Sequence, residues 1–330
     1  MNGKTLGIDI SKDKFDVYLI SATRRRSRQE ERGMHRVFQN NEKGFGDLLM
    51  WLEENGVDDV HACMEATSTY GDALAMFLHD KGFTVSVVNP FQIKSYRDSE
   101  LRLTKTDRSD AAVIARFCRS HRPAAWKPLK AENRKLRDLT NRLEDLEKML
   151  YQEKNRLKRP GLDVDVRASI EEMIGILENK IKELQDQMKN HVSSSDKLKK
   201  NKDLLCTIPG IGEKTAMMLM GMIGDFNRFD NCRKIVAWAG LAPSIHQSGT
   251  SVRGKPFLPK RCMNKVKRLL YMPTLASMRY NPLVRELCDR LKAKGKKGMQ
   301  IVMAAMQKLL RIAYGVQKHG LPFYELYCEH

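Results

Sequence analysis

The sequence predicts an α/β chain completed by α: a mixed sheet in the N-terminal third, a coiled-coil helical hairpin in the middle and a mostly helical domain at the C-terminal end. Three observations carry this. Short apolar runs with period two crowd residues 4–20 and recur before residue 90, the patterning of strands. Leucines and isoleucines step by threes and fours from about 131 to 190, the patterning of a heptad seam. Beyond 200, apolar residues keep helical spacing between turns that contain glycine and proline.

In chain order, Leu6, Ile8 and Ile10, then Phe15, Val17 and Leu19, mark two short strands around the polar turn SKDK at 11–14. A third strand is expected at 34–39. Helical spacing follows over 45–52, with Leu48, Leu49 and Leu52 on one side. HACME at 61–65 reads as a buried strand, 70–81 as a helix and TVSVVNP at 84–90 as a strongly apolar strand, with a further helix after it. The order β-β-β-α-β-α-β, with hairpins joining the first strands, suits a ribonuclease-H-like mixed sheet. A doubly wound parallel sheet would need a helix between those strands.

From 131 the texture changes. Leu136, Leu139, Leu143, Leu146 and Leu150 form one seam. Arg159, Pro160 and Gly161 break it, and Ile170, Ile174, Leu177, Ile181, Leu184 and Met188 form a second. Two long amphipathic helices can pair with each other or dimerise, and both readings stand. The serines at 193–195, followed by a Lys-rich run, are expected to be a linker. The expected division is 1–125, 126–198 and 199–330.

Charge narrows the function. Lys plus Arg number 59 against 40 Asp plus Glu, a net +19. The excess recurs along the chain in RRRSR (24–28), KNRLKR (154–159), KRCMNKVKR (260–268) and KAKGKK (292–297). A single run is usually a solvated face, but the sum implies a polyanionic partner, because cations that neutralise phosphates release counterions. No apolar run approaches the roughly 18–20 residues of a membrane span, and no lipid anchor pattern accompanies the charge, so no membrane is expected. The start, MNGKTLGIDI, enters strand-like sequence without a signal-peptide pattern. Seven cysteines occur singly. That argues for reduced thiols in a cytoplasmic protein and against a zinc site or disulfide framework.

Four acids stand out. Asp9 lies between apolar neighbours in the first strand, a costly place for an unpartnered carboxylate. Glu65 ends the strand at 61–65. Asp107 and Asp110, three apart in KTDRSDA, share one face at the start of an apolar-periodic helix. In a ribonuclease-H-like sheet these four could converge. Two Mg²⁺ (or Mn²⁺) ions at about 3.5–4 Å would then relieve their repulsion and stabilise the attacking and leaving oxygens of phosphoryl transfer. Blander readings remain: Asp107 as a helix cap with Asp110 serving the helix dipole, and Glu65 as an ordinary strand end. The actin-like sugar kinase and ATPase fold also carries an Asp before a turn in its first strand.

In the C-terminal third, LLCTIPGIGEKTAMMLMGMIGD (204–225) sets Pro209, Gly210 and Gly212 between two apolar helical stretches, with Lys214 alongside. This is the pattern of a helix-hairpin-helix, whose glycines let backbone N–H groups approach a phosphate. A plain helical turn without a ligand is the alternative. Downstream, WAGLAPSIHQSGTSVRGK (238–255) enters a polar loop in which Ser244, Ser248 and Ser251 are equally good turn formers, and spacing selects none of them as a nucleophile. Arg253 and Lys255 could stabilise charge on a phosphorane or contact backbone phosphates.

GIDISKDKFDVYL, MEATSTYG, VSVVNP, KTDRSDA and RPAAW resemble the N-terminal domain of the DEDD transposases, the RuvC-like, bridge-RNA-guided recombinases of insertion sequences (the IS-one-ten group). AGLAP followed by a QSG serine resembles their C-terminal transposase domain, and the likeness runs from about 3 to 327. One departure is Met263 before Asn264, where members often carry a Lys-Gly-Asn turn. The resemblance implies that Asp9, Glu65, Asp107 and Asp110 bind the metal and that Ser248 becomes covalently joined to DNA. It also implies a noncoding bridge RNA pairing with donor and target DNA, and a homo-oligomer, dimer or tetramer, in which the acids of one subunit meet the serine of another. It places the protein on the nucleoid of a prokaryotic cytoplasm. His246 is the histidine nearest Ser248 in sequence and has no triad spacing, so the activator expected is the acidic cluster or its metal. Two rivals are a RuvC-like nuclease that uses water, with Ser248 structural, and a noncatalytic nucleic-acid-binding protein.

Overall fold

The computed structural model describes residues 4–21, 33–66, 69–99, 107–243, 247–248, 252–253 and 264–327. The chain divides into two compact units, 1–128 and 129–330.

The first unit is built on a five-stranded sheet in the order β3-β2-β1-β4-β5. Its strands are β1 (Lys4–Ile10), β2 (Lys14–Ile20), β3 (Met34–Gln39), β4 (Val60–Glu65) and β5 (Thr84–Val88). The first three pair antiparallel, while β1, β4 and β5 run parallel. This is the mixed sheet that hairpin-joined early strands require. The turn between β1 and β2 is closed by Ser11, whose N–H and Oγ both donate to the Lys14 carbonyl at 2.9 and 2.7 Å.

Alternation along the strands sorts the two faces. Leu6, Ile8, Phe15, Val17, Leu19, Ala62 and Met64 bury one face under α1 (Glu42–Glu54) and α2 (Asp72–Asp80), against Leu48, Leu52, Leu74 and Leu78. Each of these side chains larger than alanine contributes about 1.5–3 kcal/mol by leaving water. Cys63 and Val88 bury the other face under α3 (Pro90–Ser99) and α4 (Asp107–His121), against Ile93, Ile114, Phe117 and Cys118.

The elements lie where periodicity puts them, with local shifts of physical origin. The helix expected over 70–81 is α2, preceded by a single 3₁₀ turn at Thr69–Gly71. The strand expected to reach 90 stops at Val88, because Asn89 accepts a hydrogen bond from the Phe91 N–H at 2.9 Å and Pro90 opens α3. The segment that follows α4 is fastened to the sheet edge. Trp126 N–H donates to the Val85 carbonyl at 2.7 Å, and the buried Ser86 hydroxyl lies 3.0 and 2.9 Å from the Pro123 and Ala124 carbonyls.

The second unit is helical: α5 (Ala131–Leu157), α6 (Val164–Ser193), α7 (Asp196–Cys206), α8 (Glu213–Ile223), α9 (Cys232–Trp238), α10 (Asn264–Tyr280), α11 (Pro282–Ala293), α12 (Gly298–His319) and α13 (Phe323–Tyr327). Two short strands, β6 (Gln247–Ser248) and β7 (Val252–Arg253), pair antiparallel between α9 and α10. The heptad seams become the antiparallel pair α5–α6, turned at the Pro-Gly break, where Gly161 takes φ +73°. The base of this hairpin shares one core with the following helices, through Leu136, Leu143, Met188 and Val192 packed with Leu205, Met217 and Leu219. Gly221 lets α8 close onto α5, since a Cβ there would meet Thr140 Oγ1 at 2.1 Å. The serines at 193–195 are a tight joint rather than a linker: α6 runs to Ser193 and Ser195 caps α7 by accepting from the Leu198 N–H. Serine suits a helix N-cap as well as it suits a loop, and here the cap prevails.

Candidate active site

In the first unit strand register sets Asp9 beside Glu65, and one close helix–strand approach lays α4, which carries Asp107 and Asp110, on β1. A Cβ on Gly7 would lie 2.1 Å from the Ala111 carbonyl and 2.3 Å from the Ala115 nitrogen, so only glycine lets α4 lie directly on β1. Gly7 therefore faces α4, and Asp9, two residues on, projects from the same face. Parallel register pairs Gly7 with Cys63 and Ile8 with Met64. The next positions are Asp9 and Glu65, side by side at the carboxyl ends of neighbouring strands and on that face.

Asp107 opens α4, as its spacing implied; its side chain lies outside the described part of the structure. Asp110, in the first turn, carries its carboxylate toward α3. Arg97 Nη2 donates to Asp110 Oδ1 at 2.8 Å, and Ser109 Oγ lies 3.3 Å from the same oxygen. Both members of the ion pair are largely covered, at 20% and 16% side-chain exposure, so the guanidinium offsets a charge that water reaches poorly. Among the described residues no three His, Cys, Asp or Glu side chains gather closely enough to hold a metal ion. The four acids singled out by the sequence offer only carboxylate oxygens, the chemistry that suits Mg²⁺ or Mn²⁺.

Two neighbours of the acids escaped the sequence reading. Asp16 pairs in register directly opposite Asp9 and is buried. Its signal was present, a lone acid between apolar residues in FDV, by the same criterion that singled out Asp9 in IDI. Arg97 carried no such signal, since nothing in spacing links a residue of α3 to Asp110. Beneath Glu65, Cys63 of β4 is hydrogen-bonded to Cys118 of α4. That bond and burial push the Cys63 thiol well above its ordinary range, while the same bond holds Cys118 below it.

In the second unit the segment 207–212 joins α7 to α8. Gly210 has φ +104°, and a Cβ there would lie 2.1 Å from Ser277 Oγ, which in turn donates to the Pro209 carbonyl at 2.9 Å. This glycine thus serves the packing of the turn on α10. Gly212 is the N-cap of α8, with open space where its Cβ would be. Lys214 Nζ bonds Glu147 of α5 at 2.6 Å and remains half exposed. Ser248 and Arg253 lie on β6 and β7, where Ser248 pairs with Val252 and Gln247 with Arg253. Their side chains lie outside the described atoms, and Lys255 lies outside the described residues. No helix among the described residues is long and apolar enough to cross a membrane.

Residues 6–160 match a family model described as "Transposase", and residues 202–289 match one described as "Transposase IS116/IS110/IS902 family". The chain is 32% identical over 326 residues to a pilin gene-inverting protein of Moraxella bovis, covering 98% of both chains. It is 31% identical over the same length to the pilin gene-inverting protein of Moraxella lacunata, again covering 98% of both. Among solved structures, Thermus thermophilus RuvC aligns over 37% of this chain and 98% of its own, at 14% identity and a TM-score of 0.29.

Proposed function

The chain belongs to the IS116/IS110/IS902 family of transposases, and from that membership we propose that it cuts and rejoins DNA through a serine–DNA intermediate, guided by a noncoding RNA. It is a DNA-processing enzyme. The observation that supports the chemistry best is the register that sets Asp9 beside Glu65, with α4 closed onto β1 at Gly7.

In this reading Asp9, Glu65, Asp107 and Asp110 hold Mg²⁺ or Mn²⁺. When bound, the metal neutralises charge developing on the phosphate oxygens and on the attacking and leaving oxygens. Ser248 supplies the nucleophile. Its hydroxyl oxygen forms a bond to phosphorus, the bond from phosphorus to one deoxyribose oxygen breaks, and that oxygen departs as a hydroxyl, taking up a proton. An incoming strand's hydroxyl reverses the step and frees the serine, so the phosphodiester energy is conserved. Arg253 and Lys255, which follow the serine in sequence, offset phosphate charge. The backbone at Pro209, Gly210 and Gly212, with Lys214, contacts the nucleic acid backbone. Among these, Gly212 has the most open surroundings and Lys214 is shared with Glu147. Sequence choice rests on base pairing by the RNA to donor and target DNA, and the basic surface holds backbones. Subunits assemble so that the acids of one meet the serine of another.

The test is recombination between donor and target plasmids in the presence of Mg²⁺ and cognate RNA, scored by quantitative amplification of the new junctions. Asp9→Asn and Glu65→Gln are each expected to lower the yield by at least about a hundredfold, the scale of losing one transition-state contact. Chelation of the metal or omission of the RNA is expected to abolish it. Yields that survive either acid substitution would remove the acidic site from the mechanism.

A further inference from the structure

Asp16 has no part in the reading above, yet its placement calls for one. Register sets it directly across from Asp9. Opposed residues of an antiparallel pair share a face, with Cβ atoms about 4.5–5.5 Å apart, and like charges so placed weaken the sheet. Asp9 thus has a carboxylate on each side, Asp16 on β2 and Glu65 on β4. Asp16 is only 5% exposed, and among the described residues the one other buried carboxylate is Glu144, which pairs with Lys265 in the second unit. Replacing a buried ion pair of this kind by apolar side chains is often neutral or stabilising, so folding alone does not call for the acid. The chain instead retains the acid and supports it from the far strand. His35 Nε2 lies 2.8 Å from Asp16 Oδ1, an N–H donated to the carboxylate, and Lys14 Nζ lies 3.6 Å from Oδ2. The same pattern, a carboxylate fixed by a second polar group beside the ligands, tunes metal affinity in other sites.

We propose that Asp16, held in place by His35, is a positioning residue of the acidic site: its fixed negative charge beside Asp9 raises the affinity of that site for a divalent cation. The inference rests on the metal-binding role given to Asp9 and Glu65. His35 reaches Asp16 from β3, on the side away from Asp9, so it orients the carboxylate without standing between the two acids. The role is electrostatic, and it predicts a change in cation affinity that a merely structural strand-pairing contact would not produce.

The experiment is titration of the full chain with Mn²⁺, reading free ion by electron paramagnetic resonance, with thermal melting of every variant to set a temperature at which each is folded. Wild type is expected to bind and Asp9→Asn to lose binding. Asp16→Asn is expected to bind about tenfold to hundredfold more weakly, the range found when a residue supporting a metal ligand is removed. His35→Ala is expected to weaken binding in the same direction, and His35→Gln, which keeps an N–H donor, to restore it. Wild-type affinity in Asp16→Asn, alongside loss in Asp9→Asn, would overturn this inference and leave the metal site standing. Absence of Mn²⁺ binding by wild type, or unchanged binding in Asp9→Asn, would overturn both. Should Asp16→Asn melt too low to assay, the two His35 variants decide, and equal affinity in them overturns the proposal.

Discussion

Gly7 shows how much one residue sets at the acidic site. Its missing side chain is what allows the backbone of α4 at Ala111 and Ala115 to rest on β1, and the same helix carries Asp107 and Asp110. Gly7→Ala is expected to cost about 1–3 kcal/mol, the range for overpacking a close contact, and to lower recombination beyond the loss of folded protein. Urea denaturation and the plasmid assay measure the two effects separately, and full activity in a destabilised Gly7→Ala would detach α4 from the chemistry. At this scale Asp9 was legible because an acid inside an apolar strand is costly without a partner. Asp16 met the same criterion and passed unnoticed, because its significance lies in a cross-strand register that sequence spacing does not reveal. The ion pair of Arg97 with Asp110 was not legible for a related reason: two separate helices have to pack before those side chains meet.

The hairpin α5–α6 shows the limits of reading by element. Its seams follow from spacing alone, and its turn from Pro160 and Gly161. What spacing leaves open is how far the hairpin stands free. Leu136, Thr140, Leu143 and Val192 are buried with the C-terminal helices, whereas Tyr151, Val164, Met173 and Ile176 nearer the turn are exposed. The boundary therefore falls at 128/129, because the helix following Trp126 shares its core with what comes after. Two glycines report the contrast. In Gly221→Ala a new Cβ would press on Thr140 Oγ1, and a loss of about 1–3 kcal/mol is expected. Gly175, exposed in the interior of α6 with nothing nearby, should give the opposite sign, with Gly175→Ala stabilising by about 0.5–1 kcal/mol. Equal responses in denaturation would contradict this division of the hairpin into a packed base and an open end.

On the scale of the whole molecule, a net charge of +19 is spread over two differently built units, one a sheet covered on both faces and one helical. The sheet of the first unit was legible nearly strand by strand, because period-two alternation and hairpin turns are local signals. The second unit was legible as helices, and the role proposed for Ser248 rests on likeness of motifs, because a serine in a polar loop carries no distinguishing spacing. PGIG illustrates the difference: its spacing suggests phosphate approach but does not show that Gly210 also lets the turn close on α10. In the proposed mechanism the acids and Ser248 act together in one covalent sequence. Its most direct test traps the protein on end-labelled donor and target DNA with cognate RNA and Mg²⁺, then separates the products under denaturing conditions. A protein–DNA adduct is expected in wild type and should be absent in both Ser248→Ala and Asp9→Asn. Metal-dependent cleavage that persists in Ser248→Ala without any adduct would contradict this mechanism and leave a nuclease that uses water.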